Sequence, residues 1–142
     1  SNSHIRGLFT SWIASIKAED LLRVSRFLAI HTPMTPNLMK HLNAERIGLL
    51  PEGALVVNTS RGAVADEKAL IEALKSGRLA AVGLDVLDGE PTLHKGFREL
   101  DNSFLLLHQG RGTVETRTAM GFMALDNLDA VYSGHEPPDR VV

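Results

Sequence analysis

Three residues in this chain could together move a proton on a small acid. Arg61, Glu90 and His108 each follow closely on a short apolar run. A carboxylate within hydrogen-bond reach of an imidazole favours the imidazolium and raises its pKa above about 6.5. Such a histidine can give up a proton near neutral pH and take it back in the reverse direction. A guanidinium nearby can hold a substrate carboxylate through two parallel hydrogen bonds. Taken singly, each residue has a plainer reading. Arg61 alone is a solvated loop cation, Glu90 before Pro91 a polar turn, His108 a satisfied histidine at a strand end, and Asp85 a cap for the following turn. Taken jointly they suit proton transfer on a small carboxylic acid.

The elements that must position them can be read from texture. Four short apolar runs, Phe27–Ile30, Ala54–Val57, Ala80–Leu84 and Phe104–Leu107, have the length of strands. They are continuous rather than alternating, which predicts a parallel sheet with both faces covered. Helical segments lie between them. Asp66 is an N-cap, Ala69, Leu70, Ala73 and Leu74 follow at helical spacing, and Gly77 is the stop. Asn43 caps a shorter helix with Ile47, Leu49 and Leu50, ended by Pro51. The longest helix is expected from about Thr113 to Ser133, with Gly134 as its stop. Its stripe is Gly121, Ala124, Leu125, Leu128, Val131 and Tyr132, widened by Met120, Phe122 and Met123, so more than one face is expected to be buried. Leu87 to Asn102 reads as a loop. His4 to Ile16 is expected to form a short helix or an irregular cover. Strands alternating with helices predict βαβ units, hence an α/β fold with right-handed crossovers.

In an open parallel sheet, ligands bind beyond the carboxyl ends of the strands. All four strand ends deliver polar groups there. His31, Thr32 and Pro33 follow the first run, and Asn58, Thr59, Ser60, Arg61 and Gly62 the second. Asp85 and Glu90 follow the third, and His108, Gln109 and Gly110 the fourth.

Composition narrows the rest. The chain has 142 residues, 23% of them charged and 44% hydrophobic, which predicts one ordinary globular domain and excludes a disordered tail, a collagen-like repeat and a coiled coil. A net charge of -2 offers nothing to a nucleic-acid backbone or an anionic membrane. The absence of cysteine excludes disulfides, zinc thiolate sites and cysteine nucleophiles, and no metal site is expected. No apolar run approaches the roughly 18 residues that span a bilayer. The stretch Gly7 to Ile16 is interrupted by Thr10, Ser11 and Ser15 and does not read as a signal peptide. The opening Ser1-Asn2-Ser3, without an initiator Met, reads as a processed end or a cloning remnant. Cytoplasmic is the expected location.

The stretches AIHTPMTPNLMKHLNAERIGLLPEGA (Ala29 to Ala54), VVNTSRGAVADEKALIEALKSGRLAAVGLDVLDGEP (Val56 to Pro91) and HQGRGTVETRTAMGFMALDNLDAV (His108 to Val131) resemble the NAD-binding domain of the D-isomer-specific 2-hydroxyacid dehydrogenases. The likeness runs from about Glu19 to Val142, with motifs in the family's order and spacing. It implies the second half of a doubly wound, Rossmann-like parallel sheet over 19–142, preceded by an unfamiliar leader, 1–18. It implies an NAD or NADP cofactor and a small 2-hydroxy or 2-keto acid substrate. By resemblance, Arg61 in the N-x-[SA]-R-G turn binds the substrate carboxylate and keto oxygen. Glu90 supports the histidine, and His108 is the general acid and base. Asp85 lies beside the nicotinamide, while His31, Pro33, Asn58, Thr59, Ser60 and Gly110 line the cofactor cleft.

The chain departs from the family in three ways. The dinucleotide fingerprint G-x-G-x-x-G is missing: among twelve glycines only Gly110-Arg111-Gly112 gives G-x-G, and Glu115 occupies the third place. The acidic residue expected about 20 positions after the fingerprint, which reads NAD against NADP, is missing too. Leu107 stands where Pro is usual before the histidine, and Gln109 where an apolar residue is usual. A truncated dehydrogenase of this kind is expected to bind dinucleotide weakly and turn over little. The alternative is a non-catalytic fragment or dinucleotide-sensing interaction module on the same scaffold. A flavodoxin-like binding domain is a third reading, and it leaves the order Arg, Glu, His unexplained. The strand at Phe27 lacks the partner it has in the complete family sheet, so its bare edge predicts a homo-oligomer, expected to be a dimer.

Overall fold

The computed structural model describes residues 16–106, 108–110 and 112–140. The expectation for His4 to Ser15 and the assignment of Leu107 to a strand lie outside the described residues. The chain divides into two compact units, 1–106 and 107–142.

The first unit is a parallel sheet of four strands in the order β1-β2-β3-β4. β1 is Phe27–Ile30, β2 Ala54–Asn58, β3 Leu79–Leu84 and β4 Ser103–Leu105. Leu28 pairs with Val56, Val56 with Val82, and Val82 with Ser103. Helices α1 (Ala18–Val24), α2 (Ala44–Leu49) and α3 (Glu67–Lys75) connect and flank the strands. The two predicted caps form. Asn43 Oδ1 accepts from the Arg46 amide at 3.0 Å, and Asp66 Oδ1 accepts from the Lys68 and Ala69 amides at 3.1 and 3.4 Å. Such a cap satisfies N–H groups that the first helical turn leaves open. Gly77 stops α3 with φ 75°, a conformation that costs glycine nothing. Arg78 donates to the carbonyls of Gly48 and Leu50, closing the end of α2.

Among the described residues of the first unit one sheet face is covered and the other is exposed, where two covered faces were expected. Ile30, Val56, Val82 and Leu84 join Leu22, Ile47, Leu50, Leu70 and Leu74 in a single core. On the opposite face Phe27 is 77% exposed and Phe104 68%. The strand order explains this. Each strand is added on the same side of the one before it, and right-handed crossovers then all fall on one face. Covering the second face requires the winding to reverse, and no described strand does so. The apolar runs signalled burial on both sides, but Phe27, Ala29, Val57 and Phe104 are exposed.

One further difference is local. The segment read as a loop from Leu87 to Asn102 contains a 3-10 turn, Lys95–Glu99, which buries Phe97 to 1% exposure. At the far side of the core, α1 is tied to α2 by ions. Arg46 donates to Glu19 Oε1 at 3.0 Å and to His41 Nδ1 at 2.9 Å. Arginine has no lone pair to offer, so His41 accepts there and carries its proton, when neutral, on Nε2. Burial first, and the Arg46 charge second, hold the His41 pKa below 6.5. The unfolded chain therefore takes up that proton more readily than the folded one. Stability is expected to fall as pH drops below 6.5, and to stop falling from this source once folded His41 is itself protonated. Urea midpoints at pH 7.5 and 5.5 should drop further for the parent than for His41→Gln; equal drops would contradict this.

The second unit contains α4, Val114–Tyr132. Thr113 caps it, accepting from the Thr116 amide at 3.2 Å, and Gly134 follows with φ 76°. Asn127 clamps the segment beyond it, donating to Asp139 Oδ2 at 2.8 Å and accepting from the Asp139 amide at 3.0 Å. No residue of α4 is buried, which corrects the expectation of several buried faces. Phe122, Met123, Leu125, Leu128 and Val131 are all more than half exposed. The apolar side chains are spread around this helix instead of gathered into one stripe, so no single face can hide them.

Candidate functional site

The carboxyl ends of β1, β2 and β3 are stitched together by the residues predicted to lie there. Asn58 is the last residue of β2 and is 1% exposed. Its Oδ1 accepts from both the Ser60 amide and the Ser60 hydroxyl at 3.0 Å, and its Nδ2 donates to the Arg61 carbonyl at 2.9 Å. This is a side chain taking the place of backbone in a tight turn, a standard use of asparagine. The Asn58 carbonyl accepts from the Asp85 amide at 2.9 Å, which joins the end of β2 to the end of β3. Thr59 Oγ1 lies 3.3 Å from His31 Nδ1, which joins β2 to β1. Asp85 is 6% exposed. His31, Pro33, Thr59 and Arg61 are exposed on the same edge.

The Asn58 turn therefore positions Arg61. The Arg61 guanidinium donates to the Ser60 carbonyl at 2.7 Å, which lays it along the turn. Next to it Gly62 begins a 3-10 turn, Gly62–Val64. A Cβ on Gly62 would lie 2.0 Å from the carbonyl carbon of Leu87 and 2.3 Å from the Asp88 nitrogen. Only a glycine lets the two backbones approach this closely. The arginine turn and the glutamate loop are thus packed main chain to main chain.

The loop itself is held by carboxylates. Glu90 Oε1 accepts from the Leu87 amide at 2.8 Å, so the side chain folds back over its own loop. Glu67 Oε1 accepts from the Asp88 amide at 2.8 Å. Burial, and then the neighbouring Asp88 and Asp66 charges, push the Glu67 pKa above 4.5, while the Asp88 amide and His94 act the other way.

Of the residues expected at the site, His31, Pro33, Asn58, Thr59, Ser60, Arg61, Asp85 and Glu90 all belong to the first unit. His108 and Gly110 belong to the second. His108 has φ 54°, the left-handed region that non-glycine residues enter seldom and often at functional positions. The following turn is closed by the Gly112 amide donating to the Gln109 carbonyl at 2.7 Å. The Asn58 side-chain hydrogen bonds shape the turn at the strand end. Glu67 was missed, and Gly62 was placed at the strand end without a role. Their signals were a glycine directly after the arginine and a second acid directly after a capping aspartate.

Comparison with known proteins agrees with this arrangement. Residues 10–110 match the family model described as D-isomer specific 2-hydroxyacid dehydrogenase, NAD binding domain. Glycerate dehydrogenase from Hyphomicrobium methylovorum is 40% identical over 116 residues, covering 82% of this chain and 36% of that protein. Glyoxylate reductase from Pyrococcus furiosus is 42% identical over 123 residues, covering 87% and 37%. The solved structure of an NADPH-dependent glyoxylate/hydroxypyruvate reductase from Sinorhizobium meliloti, in complex with NADP and malonate, superposes with a TM-score of 0.84 at 32% identity, over 89% of this chain and 40% of that one. The chain spans between a third and two-fifths of the length of the relatives it matches. The strand order, the Asn58 turn and these matches lead to one statement of kinship: the chain belongs to the D-isomer specific 2-hydroxyacid dehydrogenase family, within its NAD-binding domain.

Proposed function

We propose that this chain supplies the catalytic side of an NAD- or NADP-dependent dehydrogenase that interconverts a small 2-hydroxy acid and its 2-keto acid. The observation that carries the proposal is the backbone contact between Gly62 and Leu87–Asp88, which locks the Arg61 turn to the Glu90 loop. Arg61 holds the substrate carboxylate through two parallel hydrogen bonds and orients the adjacent carbonyl. His108 protonates the carbonyl oxygen as it gains negative charge, and removes the proton in the oxidative direction. Glu90 stabilises the imidazolium. The nicotinamide, when bound, supplies or accepts the hydride at the substrate carbon.

The residues at the strand ends fit part of that cofactor. His31, Pro33, Thr59, Ser60 and Gly110 would flank it, with Asp85 beside the nicotinamide. The sequence has no glycine fingerprint to cradle the pyrophosphate, where main-chain N–H groups and a helix N-terminus supply most of the anion binding. The second reading is a non-catalytic or dinucleotide-sensing module on the same scaffold. NADH oxidation with glyoxylate or hydroxypyruvate separates the two. The purified chain alone should turn over little or nothing. A chimera in which residues 16–142 replace the matching segment of the Hyphomicrobium glycerate dehydrogenase should be active. An inactive but folded chimera would favour the module.

The partner we propose is a second copy of the chain, as a homodimer in the cytoplasm. β1 is hydrogen-bonded to a neighbour on one side only among the described residues, and its face exposes Phe27. Such an edge pairs readily with another strand. Light scattering at high protein concentration should report a dimer, and a monodisperse monomer would refute it. Among the described residues no helix is long and apolar enough to cross a membrane.

A further inference from the structure

We propose that Glu67 is a positioning residue for Glu90, acting through the main chain of the loop between them. This rests on the reading of Glu90 as the acid that serves His108. Two consecutive amides of the loop point at two different carboxylates. Leu87 N donates to Glu90 Oε1 and Asp88 N donates to Glu67 Oε1, both at 2.8 Å. Gly62 packs against the same peptide, where a Cβ would lie 2.0 Å from the Leu87 carbonyl carbon and 2.3 Å from the Asp88 nitrogen. Residues 87 and 88 are therefore held by both the Arg61 turn and the first turn of α3, and this hold sets where the Glu90 side chain folds back.

Glu67 is not needed to start its helix. Asp66 already caps the Lys68 and Ala69 amides. The Glu67 carboxylate also sits in an unfavourable place for a charge, partly buried with Asp66 and Asp88 around it and His94 as the compensating group. A glutamine would accept the same hydrogen bond without that cost. A carboxylate that is not needed to cap its helix, yet accepts from the amide of a loop of the site, fits a role in positioning that loop.

The test uses the isolated chain and amide hydrogen exchange read by NMR. In Glu67→Ala, exchange at both Asp88 and Leu87 should accelerate about tenfold or more, while the β3 amide of Val82 stays within twofold. Glu67→Gln should restore both amides to within twofold of the parent. If the alanine variant fails to fold, Glu67→Asp, which keeps the charge but falls short of Asp88, should show the same acceleration at both amides. Unchanged exchange at Leu87 would overturn the proposal, because the hold would then stop short of Glu90. Failure of glutamine to restore protection would overturn it too. Neither outcome depends on whether Glu90 serves in catalysis, which is judged by the rate of Glu90→Gln in the chimera.

Discussion

His108→Gln in the active chimera is expected to lower kcat for hydroxypyruvate reduction by about 100- to 10,000-fold, the usual worth of a positioned general acid. Glutamine can still donate a hydrogen bond to the substrate oxygen, but it cannot release a proton to it. The KM should change little, because in the proposed mechanism Arg61 and not the histidine holds the substrate carboxylate. Arg61→Lys should show the opposite pattern, with KM raised most, since an ammonium keeps the charge but not the two-pronged geometry. Steady-state kinetics with NADH at saturation distinguish the two. A His108→Gln rate within threefold of the parent would remove the histidine from the chemistry.

Gly62→Ala is expected to destabilise the fold by about 3 kcal/mol, the upper end for inserting a methyl group where there is no room. The new carbon would meet the main chain of Leu87 and Asp88 at 2.0 to 2.3 Å, and main chain cannot swing aside as a side chain can. The loop carrying Glu90 would have to move bodily. Gly96→Ala makes a useful contrast. Its Cβ would lie 2.9 Å from Ile71 Cδ1, the end of a side chain that can turn away, so about 1 kcal/mol is expected. Urea unfolding of the two variants at pH 7.5 measures the difference. A Gly62→Ala midpoint equal to that of the parent would show that the loop is not gripped by this turn.

What the sequence made legible was mostly local. Asn43 and Asp66 cap helices because their short oxygens reach the next amides, a matter of a few residues. Gly77 and Gly134 end helices for a reason equally close at hand. The four strands were legible because apolar runs of that length have few alternatives. The open face was not. Phe27 and Phe104 look like buried strand residues, and only the order of the strands decides that all crossovers fall on the other side. The same holds at the site. Arg61 and Glu90 stood out as residue types in motifs. The contact of Gly62 with Leu87 and the bond from Asp88 to Glu67 join positions more than twenty residues apart, and no spacing announces them. The apolar side chains of α4 are spread around the helix rather than gathered in a stripe, and none of them is buried.

The proposed function requires one substrate acid to engage both Arg61 and His108. The most direct measurement is an NMR titration of the labelled chimera with oxamate, an unreactive analogue of a small 2-keto acid, in the presence of NADH. The Arg61 side-chain Nε–H and the His108 ring resonances should shift together along one saturable curve with a shared Kd, and both shifts should vanish in Arg61→Ala. Movement of one signal without the other, or two unrelated curves, would contradict the account.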